Sequence, residues 1–235
     1  MRRAPPPCHA PGPSTVWLAR HSEVHNPNRI YYGRLPRMGL SAEGRRQAEA
    51  LADFFAARSL AAVYSSPLLR ARKVAQAIQA RHPAIPLRVD RDLNEVRTGW
   101  QGSPHTTLDG IGWEIYAERR SPDDETMEAI LKRMRRWLSR VARRHPGGEV
   151  LGVTHGDPLL ILLAGLRGLP LDGLVTLRQA AGLGAYAPVA TVARIGLDPA
   201  GDAREIAVLV PPYEQAVRVM GQDVEHDERQ RITAG

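Results

Sequence analysis

Short apolar segments that end in polar residues alternate with amphipathic segments along most of this chain, and this alternation constrains the fold more than any other feature. The first apolar segment, residues 15–20, has the composition of a strand, with Val16, Trp17 and Leu18 in succession. Further strands are predicted at 60–64, 87–89, 149–154, 189–197 and 204–210. Strands that alternate with helices predict an α/β fold, a three-layer sandwich whose central sheet is mostly parallel.

Helices are predicted between these strands from the spacing of apolar residues. The predicted helices begin at Ser41, span 68–81, span 123–144 and span 158–166. Ser41 is a suitable N-cap, and Leu51 and Phe55 belong to the apolar face that follows it. Each of these helices has an apolar face, or is apolar throughout, so they are expected to cover the sheet.

The two ends of the chain differ in composition from its middle. Residues 1–14 are rich in proline and predict a flexible tail, because proline has no N–H to donate and disrupts helices and strands. The polar segment 213–235 predicts a second tail. Residues 15–212 are expected to form one domain with an irregular, substrate-side insert at about 95–122. The single cysteine, Cys8, lies in the first tail and excludes a disulfide framework.

The formal net charge of +7 does not predict nucleic-acid binding. The basic residues form no block, Lys73 and Lys132 are the only lysines, and aromatic residues for stacking on bases are few. No apolar run approaches the roughly 20 residues that span a bilayer, and the N-terminus lacks the apolar region of a secretory signal. We therefore expect a cytoplasmic protein, a monomer or homodimer, with no membrane or specific nucleic-acid partner.

Polar side chains follow several of the predicted strands at their carboxyl ends. Arg20 and His21 close the first strand, and His155 closes a later one. Arg70 stands near the start of the helix after the second strand, and Glu95 follows the third strand closely. Ligands of open α/β sheets bind outside the carboxyl ends of the strands, so these five side chains are expected to converge on one site.

The segments around these residues resemble the histidine phosphatase superfamily, the phosphoglycerate-mutase-like group. R-H-S-E at 20–23 resembles the family's R-H-G-E, and L-S-A-E-G-R-R-Q-A at 40–48 resembles its L-T-x-x-G-x-x-Q-A. S-P-L-L-R-A at 66–71 matches its S-P-L-x-R-A. L-N-E-V-R-T-G-W-Q-G at 93–102 resembles its acid segment, and V-T-H-G at 153–156 matches its second-histidine segment. A bare R-H pair is a weak signal, whereas these segments in the family's order are specific. The resemblance covers about 15–210 and implies a Rossmann-like, phosphoglycerate-mutase-like fold.

The resemblance implies a phosphomonoesterase that acts on a small phosphorylated metabolite. His21 would attack phosphorus and carry the phosphoryl group, and Glu95 would protonate the leaving oxygen and then activate water. Arg20, Arg70 and His155 would surround the phosphoryl oxygens, because guanidinium groups match phosphate geometry. The resemblance implies no metal and no other cofactor. Should Glu95 not be the acid, the next candidates are Asp92, Glu114 and Asp157.

Two positions after His21 differ from the family's pattern. Ser22 stands where the family usually has glycine, so either serine fits there without strain or the pocket is altered. The asparagine that the family uses for phosphate has two candidates, Asn26 and Asn28, and we take Asn26 as the phosphate ligand.

The first loop and the insert are expected to contact the rest of the substrate. The candidates are Ser22, Arg34, Arg37, Trp100, His105, Trp113, Tyr116 and Arg119. The arginines among them suggest an acidic or multiply phosphorylated compound.

Two alternative functions stay open, a phosphoglycerate-mutase-type phosphoryl transfer and a non-catalytic phosphate-binding regulatory module. The short stretch between Glu95 and His155 favours a phosphatase over a mutase.

Overall fold

A single six-stranded sheet forms the centre of the computed structural model, which describes residues 14–210. The strands are β1 (Ser14–Arg20), β2 (Leu60–Ser65), β3 (Leu87–Val89), β4 (Glu149–Thr154), β5 (Val192–Leu197) and β6 (Ala203–Leu209). Their order across the sheet is β3-β2-β4-β1-β5-β6. The first four strands run parallel, and β5 is antiparallel to both of its neighbours. The predicted α/β fold with a mostly parallel sheet is confirmed.

Helices pack on both faces of this sheet. The helices in the described residues are α1 (Ala42–Ala56), α2 (Leu69–Ala80), α3 (His105–Asp109), α4 (Met127–Arg144), α5 (Gly156–Leu166) and α6 (Gly173–Ala180). The cores of α1 and α2 share one apolar cluster, and those of α4, α5 and α6 share the other. Three layers result, as the sequence predicts.

The central strand β1 is buried on both faces because its side chains alternate between the two layers. Trp17 packs among the residues of α1 and α2, with its ring 5.6 Å from that of Phe55. Leu18 points into the opposite cluster, which contains Trp137 of α4. A strand fixed from both sides gives a rigid base for the two residues at its carboxyl end.

Two helices begin at residues other than those predicted. α4 begins at Met127 instead of 123, because Thr126 caps it by accepting a hydrogen bond from the Ala129 N–H at 3.2 Å. α5 begins at Gly156, before Pro158, since proline in the first turn of a helix costs no hydrogen bond.

The region between α5 and the final hairpin differs most from the prediction. α6 is not predicted from the sequence, because eight residues are too few to show a clear helical period. β5 begins at Val192 instead of 189. Ala190 has a φ of 61° and donates its N–H to the His21 carbonyl at 3.1 Å, so this stretch braces β1 before the strand starts.

The predicted tails lie almost wholly outside the described residues, and only Ser14, placed in the first tail, belongs to β1. The insert at 95–122 contains α3 and is otherwise built of turns and irregular chain. Across 14–210, no helix is long and apolar enough to cross a membrane.

Candidate active site

The parallel pairing of β1 with β4 places the two predicted histidines side by side. Arg20 is in register with Thr154, and the His21 N–H donates to the Thr154 carbonyl at 3.0 Å. The centroids of the His21 and His155 rings are 5.1 Å apart. Both side chains are almost fully buried. Residues far apart in the sequence therefore form one buried cluster at the carboxyl edge of the sheet.

The protonation of His21 is set by its neighbours. Its Nδ1 lies 2.7 Å from the Ser22 carbonyl oxygen, which only accepts hydrogen bonds, so Nδ1 carries the hydrogen and Nε2 carries the lone pair. Burial lowers the pKa of His21 well below its ordinary value, and the charges of Arg70 and Arg20 lower it further. The ring is therefore neutral at neutral pH, with a nucleophilic nitrogen available.

Two buried arginines lie beside this histidine, each held by one backbone carbonyl. Arg20 Nη1 donates to the Ala187 oxygen at 2.6 Å, and Arg70 Nη2 donates to the Gly33 oxygen at 2.7 Å. Among the described residues, Arg20 Nε and both Nε and Nη1 of Arg70 have no hydrogen-bond partner. Buried donors without a partner cost about 1–3 kcal/mol each, so this arrangement is one that an anion stabilises.

His155 is oriented by a residue that the sequence analysis does not single out. Its Nε2 lies 2.7 Å from Ser66 Oγ, at the end of β2. Its Nδ1 faces Glu95 Oε2 at 3.6 Å and makes no hydrogen bond within the described part of the chain. Burial, followed by the charge of Arg70, lowers the pKa of His155 well below its ordinary value. A second neutral imidazole therefore lies next to the first.

Glu95 is the carboxyl group of this cluster. Its Oε1 accepts from the Val96 N–H at 2.9 Å, and its Oε2 lies 3.8 Å from Arg70 Nη2. Burial and the negative charge of Asp157 raise the pKa of Glu95 to about 7, although Arg70 acts in the opposite direction. A carboxyl that is half protonated near neutral pH suits both proton donation and proton removal.

Asp157 is one of the alternative candidates for the general acid. It lies in the first turn of α5 and accepts hydrogen bonds. The hydroxyl groups of Tyr116, at 2.8 Å, and of Tyr186 both donate to its carboxylate. Burial and the charge of Asp157 raise the pKa of Tyr116 well above its ordinary value. A Cβ at Gly156 would lie 2.1 Å from the Tyr186 hydroxyl, so glycine there permits the close approach of this tyrosine. The other two alternative candidates are tied to structure, Asp92 to Arg136 and Arg140, and Glu114 to the Leu174 N–H.

The structure shows the surroundings of Ser22 and of the two asparagine candidates, where the sequence differs from the family's pattern. Ser22 is fully buried and does not have a positive φ, so serine replaces the family's glycine without backbone strain. Both polar atoms of the Asn26 side-chain amide form hydrogen bonds within the loop: Nδ2 donates to the Ile30 carbonyl, and Oδ1 accepts from the Ile30 N–H. Asn28 is exposed. These bonds give Asn26 a role in shaping the loop, and its contact with phosphate stays a prediction.

The candidates for substrate contact separate into two groups. Trp113 and His105 line the cavity that opens onto Glu95. Trp100 instead lies in the apolar core, 1% exposed, beneath the guanidinium of Arg120. Identical residue types in one insert have different locations, which periodicity does not reveal.

The arginines proposed to contact the rest of the substrate are bound to the protein or exposed to solvent. Arg34 donates to the Glu95 carbonyl oxygen and to the Glu125 carboxylate, both at 2.7 Å. Arg37 is exposed, and Arg119 is an exposed residue that donates to the Pro122 carbonyl. None of these three lines the cavity at Glu95.

His21, Glu95 and His155 also offer three potential metal ligands within 4.8 Å of one another. The buried guanidinium groups of Arg20 and Arg70 adjoin the same atoms and repel a cation. The donor set therefore suits an oxyanion better than a metal ion.

A larger cavity, of about 330 Å³, lies beneath the insert and is lined by Tyr116, Met127 and several carboxylates. Three of those carboxylates hold backbone N–H groups: Asp124 accepts from Gly99, Glu125 from Arg97 and Glu114 from Leu174. Within the described residues, the unpaired guanidinium nitrogen atoms of Arg20 and Arg70 lie at the histidine cluster, so we place the candidate active site there.

Comparison with known proteins points to one family. The sequence profile of the histidine phosphatase superfamily (branch 1) matches residues 16–185. An uncharacterised protein of Mycobacterium tuberculosis, Rv0525, is 37% identical over 67% of this chain and 81% of its own length. The adenosylcobalamin/alpha-ribazole phosphatase of Escherichia coli is 28% identical over 68% of this chain and 82% of its own.

Solved structures show the same fold. Bacillus stearothermophilus YhfR superposes with a TM-score of 0.70 and 28% identity, covering 81% of this chain and 94% of that one. With the profile matching most of the described residues and the predicted cluster assembled at the edge of the sheet, this chain belongs to the histidine phosphatase superfamily.

Proposed function

We propose that this protein is a phosphomonoesterase that hydrolyses a small phosphorylated metabolite through a phosphohistidine on His21, without a metal ion. The observation that carries the proposal is the neutral His21, whose Nδ1 is bound to the Ser22 carbonyl while its Nε2 keeps the lone pair. The unpaired nitrogen atoms of Arg20 and Arg70 lie beside it. Together they supply a nucleophile and a set of donors for phosphoryl oxygens.

In the first step, Nε2 of His21 attacks phosphorus in line, and the bond between phosphorus and the ester oxygen breaks as the N–P bond forms. The developing charge on the phosphoryl oxygens is stabilised by Arg20, Arg70 and His155. Glu95, protonated in a large fraction of molecules because its pKa is about 7, transfers its proton to the leaving alkoxide.

In the second step, water hydrolyses the phosphohistidine. Glu95, now a carboxylate, accepts a proton from the attacking water, and the N–P bond breaks to return His21 to its neutral form. Inorganic phosphate leaves, and Glu95 is again protonated. The same carboxyl thus acts as acid and then as base.

The relatives support phosphatase activity in general terms, since proteins named as phosphatases are among them. The cavity also weighs against mutase action on a phosphorylated acid. Such a substrate needs cationic groups for its carboxylate, whereas Arg20, already used for phosphate, is the one cation that the described residues place in this wall, next to Glu95 and Asp157.

The proposal is tested by measuring phosphate release from phenyl phosphate by the purified protein. We expect the rate to be unchanged after treatment with a chelator, and His21→Ala to abolish it. In a solution containing an alcohol acceptor, phosphate is expected to pass to water and not to the alcohol. A rate that vanishes in chelator and returns with Mg²⁺ or Zn²⁺ would refute metal independence, and preferential transfer to the alcohol would identify a transferase.

A further inference from the structure

The cavity that opens onto Glu95 has walls that differ in chemistry from the phosphate cluster beneath it. It is small, about 50 Å³, and its walls include Ile30, Tyr31, Tyr32, His105, Trp113 and Tyr186. The first loop, the insert and the segment before β5 each contribute to this ring of side chains. Because Arg20 and Glu95 of the cluster also line this cavity, we take it as the place of the leaving group when a phosphate is held at His21.

Trp113 is held in place by several contacts. Its ring lies edge-on to those of Tyr31 and His105, with centroids 6.4 and 5.1 Å away. Its indole N–H donates to Asp109 at 2.8 Å. Its φ of 62° is in the left-handed region, which a bulky residue adopts only when its surroundings hold it there. The surrounding contacts thus fix a flat aromatic surface in the wall of the cavity.

Outside the phosphate cluster, Asp157 is the charged group that the described residues contribute to the wall of this cavity. Arg20 is the only arginine or lysine of the described residues in its wall, and its guanidinium lies over the Tyr186 ring, 5.2 Å from the centroid. Glu95 and Asp157 also form part of the wall. A carboxylate on the leaving group would therefore meet acidic side chains, while an uncharged ring would meet aromatic faces and edges.

From this arrangement we infer that the substrate is a phosphomonoester whose leaving group is a planar aromatic ring that carries no negative charge close to the ester oxygen. The inference rests on the proposed phosphatase function and replaces the acidic substrate suggested by Arg34 and Arg37. The carrying observation is the set of aromatic side chains around Trp113.

The test compares benzyl phosphate with cyclohexylmethyl phosphate by kcat/KM. The two leaving alkoxides have the same carbon skeleton and similar basicity, so the comparison isolates the planar ring from the chemistry of the leaving group. Aromatic pairs are worth about 0.5–1.5 kcal/mol beyond their buried area, so benzyl phosphate should be favoured about 2- to 10-fold. 4-Carboxybenzyl phosphate should be the poorest of the three.

Variants identify which side chain confers the preference. Trp113→Leu should remove most of the preference for benzyl phosphate, while Trp113→Phe, which keeps a ring, should restore part of it. Trp100→Phe alters a tryptophan in the core and serves as the matched control, with the preference unchanged. Phosphate release from phenyl phosphate is measured for every variant to establish that the site is intact.

The results of this test distinguish the inferred substrate class from the proposed phosphatase activity. Equal kcat/KM for the benzyl and cyclohexylmethyl esters, or a preference for the carboxylated ester, would overturn the substrate class while leaving the phosphatase intact. Absence of phosphate release from all esters, phenyl phosphate included, would instead refute the proposed function itself.

Discussion

The protonation of Glu95 is the balance of opposing contacts, and it determines the pH behaviour of the proposed reaction. Its Oε2 lies 3.6 Å from His155 Nδ1 and 3.8 Å from Arg70 Nη2. Burial and the Asp157 carboxylate favour the protonated form, whereas Arg70 and Arg20 favour the ionised form. With a pKa of about 7, the carboxyl keeps its proton below neutral pH and loses it above.

Replacing Glu95 with glutamine should slow esters in proportion to how basic their leaving oxygen is. General acid catalysis typically contributes about 10²–10⁴-fold, so Glu95→Gln should slow phosphorylation by benzyl phosphate within that range. Phosphorylation by p-nitrophenyl phosphate should slow much less, because nitrophenolate leaves without a proton. Single-turnover rates of phosphoenzyme formation measure this step alone. Equal losses on both esters would mean that Glu95 only supports the site.

Removing the charge of Asp157 should move the pH dependence of the same step. The phosphorylation rate with benzyl phosphate is expected to fall as pH rises through about 7, because Glu95 loses the proton that it donates. Asp157→Asn removes a nearby negative charge, lowers the pKa of Glu95, and should shift this fall to lower pH. Asp123→Asn, at an exposed carboxylate between the insert and α4, should leave the profile in place. An unshifted profile in Asp157→Asn would exclude this charge as a cause.

At the scale of elements, the part of the site that follows strands is predictable and the part that lies in loops is not. Arg20, His21 and His155 adjoin β1 and β4, whose composition is clear in the sequence and whose parallel pairing brings their ends together. Tyr186 and Trp113 reach the cavity through irregular chain, whose path has no period to detect. Ser66 orients His155 across the sheet, a contact between residues too distant in sequence for a local pattern to show.

The start of α1 positions the chain that follows His21. The Ser41 and Gly44 end of this helix contacts Glu23: the Ser41 N–H donates to the Glu23 carbonyl, and the Glu23 N–H donates to the Gln47 side chain. A Cβ at Gly44 would lie 1.9 Å from the Glu23 carbonyl oxygen. Glycine is therefore required here by a close backbone approach, which gives a physical reason for the glycine in the 40–48 motif.

Gly44→Ala should accordingly destabilise the protein, although alanine has a higher helix propensity than glycine. Propensity alone predicts a gain of about 1 kcal/mol for alanine over glycine inside a helix. The clash with Glu23 should outweigh it and give a net loss of about 1–3 kcal/mol in the free energy of unfolding, measured by urea denaturation. Arg45→Ala, at the exposed neighbouring position, should change stability by no more than about 0.5 kcal/mol. A stabilised Gly44→Ala would show that the contact is absent.

For the whole molecule, the unpaired donors on Arg20 and Arg70 couple anion binding to folding. An anion that binds only the folded state raises stability by about 2.7 kcal/mol at 100 times its Kd. Inorganic phosphate should therefore raise Tm in a concentration-dependent way.

The variants locate that effect at the buried cluster. Arg70→Met should lose most of the phosphate-dependent rise in Tm, because Arg70 supplies two of the unpaired nitrogen atoms. Arg46→Met, at an exposed arginine paired with Glu43, should keep it. An identical rise in both variants would place phosphate somewhere other than the candidate active site.

His21 is expected to carry the phosphoryl group, and trapping the phosphoenzyme shows whether it does. The protein is mixed with ³²P-labelled phenyl phosphate, quenched in alkali within the first turnover, and digested for peptide mapping. Label is expected on His21 Nε2, stable in base and lost in acid, because phosphohistidine is a phosphoramidate. His21→Ala should hold no label. Acid-stable label, or label on Ser22 or Ser66, would show that His21 is not the nucleophile.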